Sequence, residues 1–217
     1  LGLANRHELV GVAVDNQDGR QVRVDEVDRR DFPAQLLALL RGIRARAERG
    51  LDPSRTIALA PGASFGPTKR WPEERFSALA RELLLAGRQL LWIGGDDERA
   101  VCLRLAEAAG GGTVAAGEVS LRGSIALLAG LSAAVSNDSG AMHLAQAAGT
   151  PVVGIFGSTA PEWTGPTGAA RETVRMPVPC APCFSARCPT RVECLTEITV
   201  DQVRSAVERL LARTRGN

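Results

Sequence analysis

Between residues 55 and 156, short apolar runs alternate with stretches of helical periodicity, and that alternation is the strongest pattern in the chain. Thr56-Ile57-Ala58-Leu59-Ala60 reads as a buried strand, followed by a Gly-rich turn, Pro61-Gly62-Ala63-Ser64-Phe65-Gly66. Phe76, Leu79, Leu83 and Leu84 then recur at helical spacing, which predicts a helix over 73–86 that Gly87 ends. The same reading predicts strands over 89–93, 113–116, 133–136 and 151–156, and helices over 96–109, 121–131 and 140–148. Strand and helix in turn, with short connections, imply an α/β fold with parallel strands and helices on both faces. Right-handed crossovers make that a doubly wound, Rossmann-like sheet, in which ligands sit beyond the carboxyl ends of the strands.

The flanks are less regular. Leu9 to Val14 and the Val22/Val24 pair suggest two strands. Residues 31–49 have helical spacing, with Leu36, Leu37, Leu39, Leu40 and Ile43 on the apolar face and Asp31 and Pro33 suited to the start. Gly50-Leu51-Asp52-Pro53 breaks the chain, so residues 1–50 are expected to be a linker or the remnant of a neighbouring domain, and 51–217 the main domain. Residues 157–196, rich in Pro, Gly, Thr and Cys, predict irregular structure. A last helix is expected over 200–212, with Val203, Val207, Leu210 and Leu211 on one face. The opening lacks an initiator Met and reads as neither complete nor a secretory signal.

Composition narrows the function classes. With 45% hydrophobic and 23% charged residues the chain is ordinary for a globular protein, and no apolar run approaches the about 20 residues that span a bilayer. A net charge of +2, from 26 basic and 24 acidic residues, gives no case for nucleic acid.

Three predicted loops carry candidate chemistry. Asn137-Asp138-Ser139-Gly140-Ala141-Met142-His143 leaves a strand and opens a helix, whose unpaired N–H groups and partial positive charge suit a phosphate. Asp138 fits hydrogen bonds from sugar hydroxyls, or else caps the helix; His143 donates to a ligand oxygen, or else is half-buried. In the loop over 61–72, Ser64 and Thr68 offer hydroxyls and Lys69 a point charge for a diphosphate, unless the loop is merely a basic surface turn. It matches neither the Walker pattern nor Gly-x-Gly-x-x-Gly. In Gly94-Gly95-Asp96-Asp97-Glu98 an acid suits ribose hydroxyls or ordinary helix capping. Together the three loops suit a diphosphate between two sugars.

Four cysteines, Cys180, Cys183, Cys188 and Cys194, fall within fifteen residues, and Cys102 stands apart. Nothing suggests export, so a metal or free thiols are expected before disulfides. The spacing allows a four-thiolate structural zinc, with reduced thiols or a disulfide as the other readings.

The segments PGASFGPTKRWPEERFSALA, WIGGDDERAVCLRLAE, SIALLAGLSAAVSNDSGAMHLAQAAGTPVVGIFGST and CAPCFSARCPTRVECLTEIT resemble glycosyltransferase family 9. The likeness covers residues 55–212 and is closest to the lipopolysaccharide heptosyltransferases, the type II enzymes in particular. It implies the C-terminal, donor-binding domain of a two-domain GT-B enzyme that moves heptose from ADP-heptose to the inner core with inversion. By that resemblance Asp138, Ser139, Gly140 and His143 meet the donor phosphate and heptose, and Ser64 and Lys69 the diphosphate. Asp97 or Glu98 faces the ribose, and residues 119–121, from Val119 on, line the adenine pocket. No cofactor is required. The family's acceptor domain and general base, an Asp, belong to an N-terminal half that residues 1–50 do not resemble, so the base is expected outside this chain. The implied partners are ADP-heptose or a similar nucleotide sugar and a lipid-anchored oligosaccharide, with cytoplasmic location and at most peripheral membrane contact. The rivals are a GT-B enzyme using another nucleotide sugar, such as a UDP-sugar, and a non-catalytic nucleotide-binding module.

Overall fold

The computed structural model describes residues 34–215. The chain divides into two compact units, Leu1–Leu37 and Ala38–Asn217. The strands expected over 9–14 and 22–24, and the helix start at Asp31 and Pro33, lie outside the described residues, as do the side chains of Leu36, Leu37 and Leu39.

Six parallel strands form one sheet: β1 (Thr56–Ala60), β2 (Gln89–Trp92), β3 (Thr113–Val114), β4 (Ala133–Asn137), β5 (Val152–Phe156) and β6 (Arg171–Arg175). Their order is β3-β2-β1-β4-β5-β6, the doubly wound arrangement, and the order reverses between β1 and β4. The helices are α1 (Ala34–Glu48), α2 (Glu73–Leu85), α3 (Arg99–Ala109), α4 (Leu121–Leu128), α5 (Gly140–Ala147), α6 (Pro161–Thr164), α7 (Glu193–Thr196) and α8 (Val200–Arg215).

The period of two along β1 explains the layers. Ile57 and Leu59 join Leu90, Trp92, Val135, Val153 and Ile155 in one buried cluster with Phe76 and Leu79 of α2, Cys102 and Leu105 of α3, and Val203, Val207 and Leu210 of α8. Ala58 and Ala60 face the other way, with Leu91, Ile93 and Ala134, against Leu127 and Leu128 of α4 and Met142 and Ala145 of α5. Both faces are thus covered, which is what a fully parallel sheet needs.

Several expected boundaries shift. Residues 96–98 form a 3₁₀ turn, and α3 begins only at Arg99. There, Glu98 folds back to accept the Gly95 N–H at 2.9 Å. The helix expected over 121–131 stops at Leu128, since Ala129 turns extended and Gly130 takes φ 79°. In α1, Leu40 and Ile43 are exposed rather than apolar-face residues; Gly42 and Arg46 are buried instead. Gly42 meets the backbone of Ala126, and the Arg46 guanidinium donates to the carbonyls of Ala126 and Leu127 at the end of α4. A cation at a helix C-terminus is favourable. The boundary expected at residue 50 therefore falls inside the compact unit beginning at Ala38. Among the described residues no helix is long and apolar enough to cross a membrane.

Candidate functional site

The crevice at the β1/β4 reversal is where an open parallel sheet leaves room for a ligand. Asn137, the last residue of β4, is fully buried there and holds the two loops together. Its amide donates to the Pro61 carbonyl at 2.7 Å, and its carbonyl accepts the Trp71 N–H at 3.1 Å. The Trp71 indole N–H in turn donates to the Ile198 carbonyl at 3.0 Å, and its ring meets Phe76 edge-on. The loop over 61–72 is thus pinned at both ends.

Across that crevice, Lys69 Nζ lies 2.7 Å from Asp138 Oδ2, with side chains 12% and 3% exposed. The same carboxylate oxygen accepts hydrogen bonds from the hydroxyls of Thr159 and Thr164, just beyond β5. A carboxylate this buried is tolerable only because a cation and two donors surround it. Lys69 also sits 4.9 Å from the centre of the Phe65 ring. Asp138 does not cap α5: Ser139 is the N-cap and makes no side-chain cap bond, its hydroxyl lying 3.3 Å from that of Ser136. Among the described residues the leading N–H groups of α5 thus have no capping side-chain acceptor, the arrangement that receives an anion. Lys69 is not the free point charge that its sequence suggests, since Asp138 already neutralises it.

The remaining expected residues take different places on the same rim. Ser64 is exposed, and its hydroxyl has no protein partner among the described residues. Thr68 is buried; its hydroxyl donates to the Ser185 carbonyl at 2.6 Å and accepts from Ser158 at 3.2 Å, so it anchors the loop rather than facing a ligand. Glu98 lies so close over Gly62 that a side chain there would collide with its carboxylate, which joins the loops after β1 and β2. Asp97 is exposed. Val119, half-buried beyond β3, packs on the second core cluster. It precedes Ser120, whose hydroxyl accepts the Gly123 N–H and caps α4. The neighbouring Glu118 pairs with Arg49 at 3.1 Å and Arg99 at 3.0 Å, and the Arg49 hydrogen bond foremost holds its carboxyl below the usual range. His143 is exposed, one turn into α5, and lines a cavity with Gln146, Trp163, Thr164 and Thr167.

Residue reading missed Asn137 as a loop clamp, and Thr159 and Thr164 as partners of Asp138. Their position, at or just past the carboxyl end of a strand, was the available signal.

The cysteine segment is laced to this rim. The N–H groups of Cys183 and Phe184 donate to the Ser158 carbonyl at 3.1 and 2.8 Å. Cys180 and Cys183 are exposed, Cys188 is partly so, and Cys194 on α7 is buried. Burial, then the fields of Cys180, Cys183 and Cys188, push the Cys194 thiol up to about 11. The Thr190 hydroxyl, 3.2 Å from Cys188 Sγ, leads in holding that thiol below its ordinary value, helped by the N–H groups of Thr190 and Val192. The Cys194 thiol thus feels the other three electrostatically. Among the described residues, however, no three His, Cys, Asp or Glu side chains stand close enough to hold a metal ion.

The profile of glycosyltransferase family 9 (heptosyltransferase) matches residues 25–192. The chain belongs to glycosyltransferase family 9. This member is 34% identical over 125 residues to lipopolysaccharide heptosyltransferase 2 of Salmonella typhimurium, a match covering 55% of the chain and 36% of that relative. Among solved structures, Escherichia coli ADP-heptose lps heptosyltransferase II is similar at TM-score 0.68 and 27% identity, covering 81% of this chain and 52% of that one. The E. coli heptosyltransferase WaaC, solved with ADP, matches at TM-score 0.62 and 26% identity, covering 73% of this family 9 chain and 45% of WaaC. The chain thus spans between about a third and a half of the length of these relatives.

Proposed function

We propose that this chain is the donor-binding half of a heptosyltransferase, taking heptose from ADP-heptose toward the lipopolysaccharide inner core with inversion. The observation that carries the reading is the Lys69–Asp138 pair beside the uncapped start of α5, at the sheet's switch point. A cation, helix N–H groups and the exposed Ser64 hydroxyl then meet the diphosphate. The nucleoside extends toward Glu98 and Val119 at the ends of β2 and β3, and the sugar toward β5. As the glycosidic bond breaks, charge builds on the departing ADP; the α5 N-terminus stabilises it as it stands, and Lys69 does so by shifting from Asp138 toward the diphosphate. The general base lies outside this chain. The acceptor is a lipid-anchored oligosaccharide at the cytoplasmic membrane face, met by a protein with at most peripheral contact.

WaaC, a relative solved with ADP, supports adenine over uracil. In calorimetry the chain is expected to bind ADP at micromolar to millimolar strength and UDP at least about tenfold more weakly. Equal affinity for the two would favour another nucleotide sugar, and no ADP binding at millimolar ligand would favour a non-catalytic module.

A structural zinc at Cys180, Cys183, Cys188 and Cys194 belongs to the same proposal. The soft four-thiol donor set within fifteen residues of sequence suits it. The spacing of the side chains argues the other way. Protein purified without chelator is expected to carry about one zinc per chain by elemental analysis; a preparation free of zinc and iron would end the idea.

A further inference from the structure

We propose that Trp163 forms the stacking wall of a subsite for the donor's sugar ring, so that it sets affinity for the glycosyl unit and not for the nucleotide. The proposal rests on the donor-site reading above and names the part of the site left without residues there. The order of the sheet carries it. If the nucleoside lies at the ends of β3 and β2 and the diphosphate at β1 and β4, the next rim in line for the sugar is that of β5. The chain leaving β5 runs through Ser158 and Thr159 into α6, which carries Trp163 and Thr164.

The lining there has the chemistry of a carbohydrate site. A cavity of about 430 Å³ is bounded by His143, Gln146 and Ala147 of α5 and by Trp163, Thr164, Gly165 and Thr167. That volume falls within the ligand-sized range of about 300–1,000 Å³. A pyranose presents one apolar C–H face and a rim of hydroxyls, so it wants one flat aromatic wall and several short polar groups. Trp163 is 79% exposed, unusually open for so large an apolar side chain. It is nonetheless braced, its ring centre 5.1 Å from that of Phe184 at 31°. Gln146 is held by a hydrogen bond from its amide to Thr167, which leaves its carbonyl oxygen for a ligand hydroxyl. His143 has no protein partner among the described residues. Thr164 joins the cavity to the charged centre, since its hydroxyl donates to Asp138 Oδ2 at 3.0 Å.

The test is calorimetry with ADP and with ADP-heptose on the unaltered chain, Trp163→Ala and Trp163→Phe. For Trp163→Ala, ADP affinity should stay within about twofold while ADP-heptose binds about tenfold more weakly; Trp163→Phe should recover most of the loss. Unchanged ADP binding also reports that the variant folds. An ADP-heptose to ADP affinity ratio that Trp163→Ala leaves alone overturns the subsite. So does an equal loss of both ligands, which marks a structural role. Absence of ADP binding by the unaltered chain sinks the donor-site reading itself, and the subsite with it.

Discussion

Replacing Lys69 by alanine is expected to weaken ADP binding by about ten- to a hundredfold, while Asp138→Asn binds ADP as tightly as the unaltered chain or more so. The first figure follows from losing a hydrogen bond to a charged group, about 1.5–3 kcal/mol, at 1.4 kcal/mol per decade. The second follows from the pair itself: Asp138 Oδ2 holds Lys69 at 2.7 Å, so an incoming diphosphate must compete with a buried carboxylate. Asparagine keeps an oxygen for Thr159 and Thr164 but releases the cation. The gain should come with lower stability, because a half-buried ammonium loses its counter-charge. Asp138→Ala, which removes the acceptor as well, should cost about 3–5 kcal/mol in urea unfolding. Should folded Asp138→Asn lose ADP as fully as Lys69→Ala, the carboxylate is a ligand contact and not a restraint on the lysine.

A comparable loss of stability is expected from Asn137→Ala, by a different route. This substitution strands the Pro61 carbonyl and the Trp71 N–H, both of which Asn137 satisfies in the interior. Each buried group left unpaired costs about 1–3 kcal/mol, so the variant should unfold about 2–6 kcal/mol more easily. The denaturant midpoint should fall with little change in slope. Asn137→Asp is no remedy, since its carboxylate accepts from Trp71 but faces the Pro61 carbonyl with no proton to give. A midpoint unchanged by Asn137→Ala would mean that the two loops do not depend on this clamp.

The fold was readable because the central strands β1, β4 and β5 are buried along their whole length and so appear as mainly apolar runs. β6 was not, because Arg-Glu-Thr-Val-Arg at the open edge of the sheet buries only Val174 and carries the charges that keep edges from pairing. The α1 face misled for a related reason: Leu40 and Ile43 have the right spacing, but the buried positions are Gly42, small enough to touch α4, and Arg46, which finds carbonyls there. At the site, the loops after β1, β2 and β4 stood out by their glycines and charged residues. What those residues bond to could not be seen in order of sequence. That Lys69 spends its charge on Asp138, and Thr68 its hydroxyl on Ser185, depends on neighbours 69 and 117 positions away.

The lacing of Thr68 to Ser185 and of Trp71 to Ile198 limits how far this protein can be trimmed. A fragment ending after β6 would retain every residue of the rim from Ser64 to Trp163, yet would lose the anchors of the Lys69 loop at both Thr68 and Trp71. Any excised or grafted version of the donor site therefore has to carry the downstream polypeptide to at least residue 198.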